Sequence, residues 1–108
     1  MQKSMGHGED AAFYFAQAGE VAARVDHESA VEYYTMAMND LVVVGKFAAS
    51  ALMQVRIGAL CEDDNAVLDA GRSYSYAGEL FLSAEDRTQA VWYLNRGGAF
   101  CALAYALE

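Results

Sequence analysis

The second half of the chain repeats part of the pattern of the first half. The matched positions combine turn acids, small residues and bulky residues: Tyr14 with Tyr74, Asp26 with Asp86, Ala30 with Ala90, Val31 with Val91, Tyr33 with Tyr93, Ala18 with Gly78, Val21 with Phe81 and Tyr34 with Leu94. Small residues let two antiparallel helices approach closely, and large residues fill the gaps beside them. Each half is therefore predicted to form a helix, a short turn capped by an aspartate, and a second helix.

The rest of the sequence also favours helices. The chain contains no proline and is rich in alanine. Alanine loses no side-chain entropy in a helix, whereas proline breaks the helical hydrogen bonds. Apolar residues recur at helical spacing, so we predict an all-α fold of about five helices. Two related antiparallel helical hairpins would be joined by a central helix.

The domain boundaries follow from the same pattern. Residues 1–8 are rich in glycine and polar residues and are predicted to form a flexible N-terminal arm. Residues 9–108 are predicted to form a single helical domain. Gly45 predicts a break, and Asp26 and Asp86 are expected helix caps. The third and fourth helices are expected at about Lys46 to Leu60 and Asn65 to Ser83, with Glu62 to Asn65 capping the fourth.

Two apolar stripes are predicted to face the core. The first helix carries such a stripe at Tyr14, Ala18, Val21 and Val25, and the fourth carries one at Val67, Ala70, Tyr74, Ala77 and Phe81. The pattern does not place Tyr76, Trp92 or Tyr93 firmly. An exposed aromatic side chain among these three would suit a protein interface.

Composition restricts the partners. Apolar residues make up 56% of the chain, above the usual value of about 45–50%, and a small domain has little interior for them. We therefore expect a homodimer or a covering partner. The net charge of −8 argues against direct binding to nucleic acid or to an anionic membrane surface. Solubility is the first explanation of this acidity, and a basic protein partner or mimicry of a nucleic-acid backbone are its alternatives.

The two halves resemble the tetratricopeptide repeat (TPR), a helical hairpin that pairs small and aromatic residues. The signature positions fall on Tyr74, Ala77, Gly78, Phe81, Ala90, Leu94 and Gly97 in the second half, and on Tyr14, Ala18, Val21, Ala30, Tyr34 and Ala37 in the first. Gln17, the missing prolines and the wide spacing between the two halves depart from that signature. The first three helices are also similar to the microtubule-interacting and trafficking (MIT) bundle, through Ala16 to Glu20 and Ser29 to Tyr34.

Both resemblances imply a module that binds a peptide or helix of another protein. If the groove of the repeat family carries over, its lining is predicted at two sets of positions. These are Ala12, Phe15 and Gly19 on the first helix, and Arg72, Ser75 and Glu79 on the fourth.

Catalytic signatures are missing from the sequence. His7 and His27 lack the spaced partners of a metal site, and no phosphate-binding glycine motif occurs. Cys61 and Cys101 lie in apolar stretches typical of reduced, buried thiols. We expect no enzyme activity, no cofactor and no metal. The N-terminus lacks the apolar segment of a signal peptide, which together with the cysteines predicts a cytoplasmic protein.

The sequence therefore predicts a non-catalytic adaptor or scaffold module for protein–protein interaction. Its alternative is a small acidic inhibitor or immunity-type protein that blocks the basic surface of a nucleic-acid-binding enzyme. The charge of −8 is the reason for that alternative. Strong salt dependence of binding would favour the inhibitor, and binding dominated by apolar burial would favour the adaptor.

Overall fold

The fold is all-α, as predicted. The computed structural model describes the backbone of residues 2–107 and the side chains of residues 8–107. Within that range it contains five helices and no strand: α1 (Gln2–Ala22), α2 (His27–Val43), α3 (Phe47–Asp63), α4 (Val67–Ser83) and α5 (Arg87–Leu107). Helix α1 begins at Gln2 rather than near Glu9. The flexibility of an arm over residues 1–8 stays a prediction, since side chains 1–7 lie outside those described.

The turns follow the predicted chemistry at three of four junctions. The Asp26 carboxylate accepts hydrogen bonds from the Glu28 N–H at 3.2 Å and from the Ser29 hydroxyl at 2.7 Å, which caps α2. Asp86 accepts from the Gln89 N–H at 3.2 Å and caps α5 in the same way. Gly45 separates α2 from α3 with φ of +81°. The prediction for α4 was wrong, because α4 starts after Ala66 with no side-chain cap.

The helices follow a regular repeat of one helix and one turn. Helices α2 to α5 begin at His27, Phe47, Val67 and Arg87, which are evenly spaced along the chain. The fourth residue of each helix is small and fully buried: Ala30, Ser50, Ala70 and Ala90 all have 0% exposure. Two such units form a hairpin, so the hairpin repeats at a shorter interval than the comparison of the two halves of the sequence indicated.

A glycine faces a large side chain at the contacts of α3 with α4 and of α4 with α5. A Cβ added at Gly58 of α3 would lie 2.9 Å from the Tyr74 ring of α4. At Gly78 of α4 it would lie 2.6 Å from Leu94 Cγ of α5. Only glycine allows such close approach of helix backbone and side chain. The predicted role of Gly78 is therefore confirmed.

The packing is sequential. Each helix packs mainly against the helices before and after it in the chain, so that α1 contacts α2, α2 contacts α3, and so on to α5. The result is an elongated, flat molecule with extents of 51 × 34 × 16 Å. Such one-dimensional stacking is the defining property of a helical solenoid.

The prediction for the inward face of α1 was wrong. Tyr14, Val21 and Val25 are 72%, 68% and 85% exposed. The small residue that contacts α2 is Gly19 rather than Ala18, since a Cβ at Gly19 would lie 2.7 Å from the Tyr34 ring.

The register of α1 explains this difference. The sequence between Gly19 and Tyr34 is one residue shorter than the sequence between Gly58 and Tyr74. The register of α1 is thus shifted by one position relative to the later helices. Phe15 takes the position that the sequence comparison gave to Tyr14.

Candidate functional site

Two ion pairs join alternate helices across the helix between them. Arg56 of α3 donates to Glu20 of α1 at 2.6 Å, and its guanidinium lies 5.9 Å from the ring centre of Tyr34 on α2. The gap between α1 and α3 is therefore filled by a tyrosine and closed by an ion pair. Burial is the largest cause that raises the pKa of Tyr34 above its usual value, which keeps the phenol neutral.

The same arrangement recurs one hairpin later. Arg96 of α5 donates to both carboxylate oxygens of Glu62 on α3, at 3.1 and 3.0 Å, across Tyr74 of α4. The Tyr74 hydroxyl also donates to Glu62. Burial first, and that hydrogen bond second, raise the pKa of Tyr74 to about 12. Two further rings flank the guanidinium, with centres 5.4 Å away at Trp92 and 5.3 Å away at Phe100.

The intermediate gap, between α2 and α4 across α3, lacks this closure. Gln54 stands midway in sequence between Tyr34 and Tyr74, where the pattern would place a tyrosine, and it donates instead to the Met38 sulfur at 2.9 Å. Tyr76 stands where the pattern would place the arginine, and it is 40% exposed. Among the side chains from 8 to 107, no ion pair joins α2 to α4. Gln54 and Met38 are nevertheless buried, with 8% and 4% exposure, so what this gap lacks is the ring and the ion pair.

The space between α2 and α4 opens nearer the start of both helices, where it forms a depression of about 420 Å³, which we call the acidic groove. Its floor is apolar and its rim carries three acidic residues and one arginine. The groove is lined by Glu28, Val31, Glu32, Ile57, Cys61, Asp69, Arg72 and Ser73. An apolar floor with a charged rim is the usual architecture of a peptide-binding groove.

Apolar side chains continue the acidic groove along both helices. Met36 lies one turn beyond Glu32 on α2 and is 45% exposed. Tyr76 lies one turn beyond Arg72 on α4. Of the three aromatic residues left unplaced by the sequence, Tyr76 and Trp92 are exposed and Tyr93 is half-buried. Tyr76 is therefore available to a ligand in the acidic groove.

The thiol at the floor is not an activated nucleophile. Cys61 is half-buried and unpaired. Burial is the largest cause that raises its pKa above the usual value, and Asp69 and Asp64 raise it further. A raised pKa keeps the sulfur protonated near neutral pH, and the thiolate is the reactive form. The floor of the groove is thus suited to apolar contact rather than to chemistry.

The structure separates the six residues that the TPR resemblance indicated. Ala12 and Gly19 are buried in α1, and Phe15 is half-buried and stacked on Tyr33 at 6.5 Å. On α4, Arg72 is exposed and lines the acidic groove, whereas Ser75 is half-buried against Gly97 of α5. Glu79 is exposed on the same helix. Helices α1 and α4 do not pack together, and a ligand contact with any of the six stays a prediction.

Sequence reasoning missed most of the groove. The predicted binding residues did not include Glu28, Glu32 or Asp69, and Val31 was placed only in the repeat. The available signal was the charge of α2, which carries two acids within one helical turn next to an apolar residue. The two acids of α2 lie near Asp69 because α2 and α4 approach each other across α3. No local sequence pattern specifies the distance between those two helices.

Other features of the described residues add no chemistry. His27 Nδ1 lies 2.9 Å from Asp64 Oδ1, which links the start of α2 to the end of α3. No three histidine, cysteine or acidic side chains converge as metal ligands among the residues that the structure describes. Over the same residues, none of the helices has the length and apolar character needed to cross a bilayer.

Sequential helical packing, a repeated hairpin and an inter-helix groove define a TPR-like α-solenoid. The family model for the soluble NSF attachment protein (SNAP) matches residues 1–103. The chain therefore belongs to the soluble NSF attachment protein family, a helical family of protein-interaction adaptors. No curated protein and no solved structure is similar enough to the chain to match it. The TPR-like resemblance is thus confirmed, and the MIT resemblance is not supported.

Proposed function

We propose that the chain is a non-catalytic adaptor that binds a basic, amphipathic helix of a partner protein in the acidic groove. One observation supports this most directly. The gaps over Tyr34 and Tyr74 are each filled by a ring and closed by a glutamate–arginine pair, whereas the gap over Gln54 has neither. A solenoid that closes two of three equivalent gaps retains one surface for a ligand.

Charge selects the class of ligand. Glu28, Glu32 and Asp69 put three negative charges around an apolar floor, against the single positive charge of Arg72. Lysine or arginine residues on one side of a bound helix would meet this rim, while leucine or phenylalanine residues reached Val31 and Ile57. Rim charges mainly set association rate and partner choice, and the apolar anchors set most of the affinity.

The family description adds a first candidate partner. It names attachment to NSF as the role of the family, so NSF is the protein with which we propose to begin. The two free cysteines also suit the cytoplasmic location that the sequence predicts.

Binding to a designed peptide tests the groove. The probe is a fluorescein-labelled amphipathic helix with lysine on one face and leucine on the other, titrated with the whole chain and followed by anisotropy. We expect Glu28→Lys with Glu32→Lys to weaken binding about tenfold or more, since a tenfold change corresponds to about 1.4 kcal/mol. Binding should fall but persist at high salt, because burial supplies part of the affinity.

Two controls make the result specific. Asp10→Lys with Glu85→Lys changes the net charge equally at exposed sites outside the groove and should leave binding within about twofold. A scrambled peptide of the same composition, without helical spacing of its leucines, should bind far more weakly. Equal loss in both double variants, or equal binding of the scrambled peptide, would show that only net charge is recognised and would refute the groove.

Purified NSF tests the partner separately. If NSF binds the chain and the Glu28 and Glu32 double variant loses that binding, the groove is its docking site. If NSF binds both variants equally, NSF contacts another surface and is not the ligand of the groove.

A further inference from the structure

Arg72 is the single basic residue among those that line the acidic groove. Glu28, Glu32 and Asp69 line the same depression, yet Arg72 forms no ion pair with a carboxylate among the side chains described from 8 to 107. Its side chain is exposed. The charge of Arg72 therefore closes no gap of the solenoid itself and is available to a ligand in the groove.

The charges on the rim follow a fixed order along the groove. Helices α2 and α4 run in the same direction, because consecutive helices reverse at each short turn. Near the start of both helices the rim is acidic on both sides, with Glu28 on α2 and Asp69 on α4. One turn further, Glu32 and Arg72 are each the sixth residue of their helix and carry opposite charges. The rim thus changes from acidic to mixed within one turn.

A bound helix must match this order with charges of the opposite sign. Basic residues of the ligand fit beside Glu28 and Asp69, and an acidic residue fits beside Arg72 about one turn away. A ligand that carried only basic residues along this side would place one of them against Arg72, and such like-charge contacts reject the wrong partner. The groove therefore specifies a ligand helix with both signs of charge in a definite order.

Helix electrostatics indicates the direction of the ligand. If the ligand runs antiparallel to α2 and α4, its acidic residue precedes its basic residues in sequence. That order places the acid toward the N-terminus of the bound helix and the basic residues toward its C-terminus, where the helix dipole favours each. Glutamate four residues before lysine is also the better order for a charged pair on a helix. A ligand in the parallel direction would lose both contributions.

We propose that Arg72 sets the register and direction of a helix bound in the acidic groove, by pairing with one acidic residue of that helix. The partner segment then carries glutamate or aspartate about four residues before its lysines or arginines, and it runs antiparallel to α2 and α4. This inference rests on the proposed function, since it specifies the ligand of the same groove. Arg72 acts by rejecting other registers and the reverse direction, and the apolar floor supplies most of the affinity.

Three labelled amphipathic peptides of equal length test the order of charges. The forward peptide has one glutamate four residues before its lysines, the reversed peptide has the same residues in the opposite order, and the neutral peptide has glutamine in place of the glutamate. In anisotropy titrations with the whole chain, the forward peptide should bind about five- to tenfold more tightly than the reversed one, which loses the ion pair and meets Arg72 with a lysine.

The neutral peptide separates pairing from net charge. It should bind about two- to fivefold more weakly than the forward peptide, the range expected for loss of one exposed ion pair. Attraction by net charge alone would give the opposite order, because the neutral peptide is the more positive of the two and the chain carries a charge of −8.

Charge exchange at Arg72 tests the pairing itself. In Arg72→Glu the preference should invert, so that a peptide with lysine in place of its glutamate binds more tightly than the forward peptide. Arg87→Glu is the matched control, because Arg87 is exposed at the start of α5, outside the groove, and undergoes the same change of charge. This control should keep the preference of the parent chain. Far-ultraviolet circular dichroism should show both variants as helical as the parent.

A nitroxide label at either end of the forward peptide reports its direction. In nuclear magnetic resonance spectra of the chain, a label at the N-terminus of the peptide should broaden the amide signals near Met36 and Tyr76. A label at its C-terminus should broaden those near Glu28 and Asp69. The opposite pattern would overturn the proposed direction.

The outcomes separate this inference from the proposed function. If the forward and reversed peptides bind equally and both lose binding in the Glu28→Lys with Glu32→Lys variant, the groove stands and the role of Arg72 is refuted. The role of Arg72 is also refuted if Arg72→Glu and Arg87→Glu change the preference equally. If none of the peptides binds the parent chain, the proposed function fails and this inference fails with it.

Discussion

Gly78 of α4 lies so close to Leu94 of α5 that an added Cβ would stand 2.6 Å from Leu94 Cγ and 3.0 Å from the Leu94 backbone nitrogen. Gly98, its equivalent in the next helix, has no neighbour within 4 Å of the same atom. The two glycines have the same helical position and opposite surroundings. Substitutions there separate the effect of packing from the effect of helix propensity.

Gly78→Ala should destabilise the chain and Gly98→Ala should stabilise it. Overpacking costs about 1–3 kcal/mol, which exceeds the gain of about 1 kcal/mol in helix propensity. At Gly98 only the propensity gain remains. The free energy of unfolding of both variants is measured with urea, at a protein concentration where the chain is monomeric. Equal effects of the two substitutions would contradict the close contact between α4 and α5.

Glu85→Gly should stabilise the chain. Glu85 lies in the α4–α5 turn with φ of +63°, at the position that Gly45 fills with φ of +81° in the α2–α3 turn. A residue other than glycine lowers the stability of the folded chain by about 1–2 kcal/mol in this left-handed region. Glycine instead lowers stability by about 0.4–1 kcal/mol, because it raises the conformational entropy of the unfolded chain. We expect a net gain of about 0.5–1 kcal/mol, measured as a higher thermal midpoint.

Gly45→Glu is the reciprocal substitution. No atom lies within 4 Å of an added Cβ at that position, so any loss of stability comes from the backbone alone. A loss similar in size to the gain from Glu85→Gly is expected. Asn65 has φ of +61° in the intervening turn, and Asn65→Gly should change stability least, because asparagine tolerates this conformation.

Stability should fall above pH 10 because of Tyr74. Its folded pKa of about 12 exceeds the ordinary value of about 10, so the neutral phenol is favoured in the folded chain. That contribution is complete below pH 10 and is lost as the pH rises from about 10 to 12. Tyr74→Phe should flatten this fall, measured by urea unfolding between pH 9 and 11. Tyr14→Phe, at an exposed tyrosine, is the control and should leave the slope unchanged.

Local chemistry made the helices and most of the turns predictable. Asp26 and Asp86 cap their helices because a carboxylate can accept from the first free N–H groups, and this needs only a few adjacent residues. Gly45 ends α2 because glycine accepts a left-handed backbone without strain. The alanines at 30 and 90 were predicted to be buried and have 0% exposure.

Register and groove could not be predicted in the same way. The first turn has no left-handed residue, unlike the later three, and the shift of one position that accompanies it moves the contact from Ala18 to Gly19. Neighbouring small residues make both choices equally compatible with the sequence. The acidic groove depends on α2 and α4 approaching across α3. That approach is not a local property of the sequence.

Arg96→Ala should cost more stability than Arg56→Ala, although both arginines close equivalent gaps. Arg96 makes two hydrogen bonds to Glu62 and contacts three rings, whereas Arg56 makes one hydrogen bond to Glu20 and contacts one ring. Each exposed ion pair contributes about 0.2–1 kcal/mol, and each cation–π contact about 0.5–1 kcal/mol. The expected losses are about 1.7–4 kcal/mol for Arg96→Ala and about 0.7–2 kcal/mol for Arg56→Ala.

Substitution by lysine separates charge from geometry at the same two sites. Lysine keeps the charge but lacks the planar guanidinium that lies over the rings of Tyr74, Trp92 and Phe100. Arg96→Lys should therefore lose most of what Arg96→Ala loses, whereas Arg56→Lys should lose little. Both losses are measured by urea unfolding at low and high salt. The loss for Arg96→Ala should change less with salt than that for Arg56→Ala, because salt screens the more exposed ion pair more strongly. Full recovery of stability in Arg96→Lys would mean that charge alone joins α3 to α5.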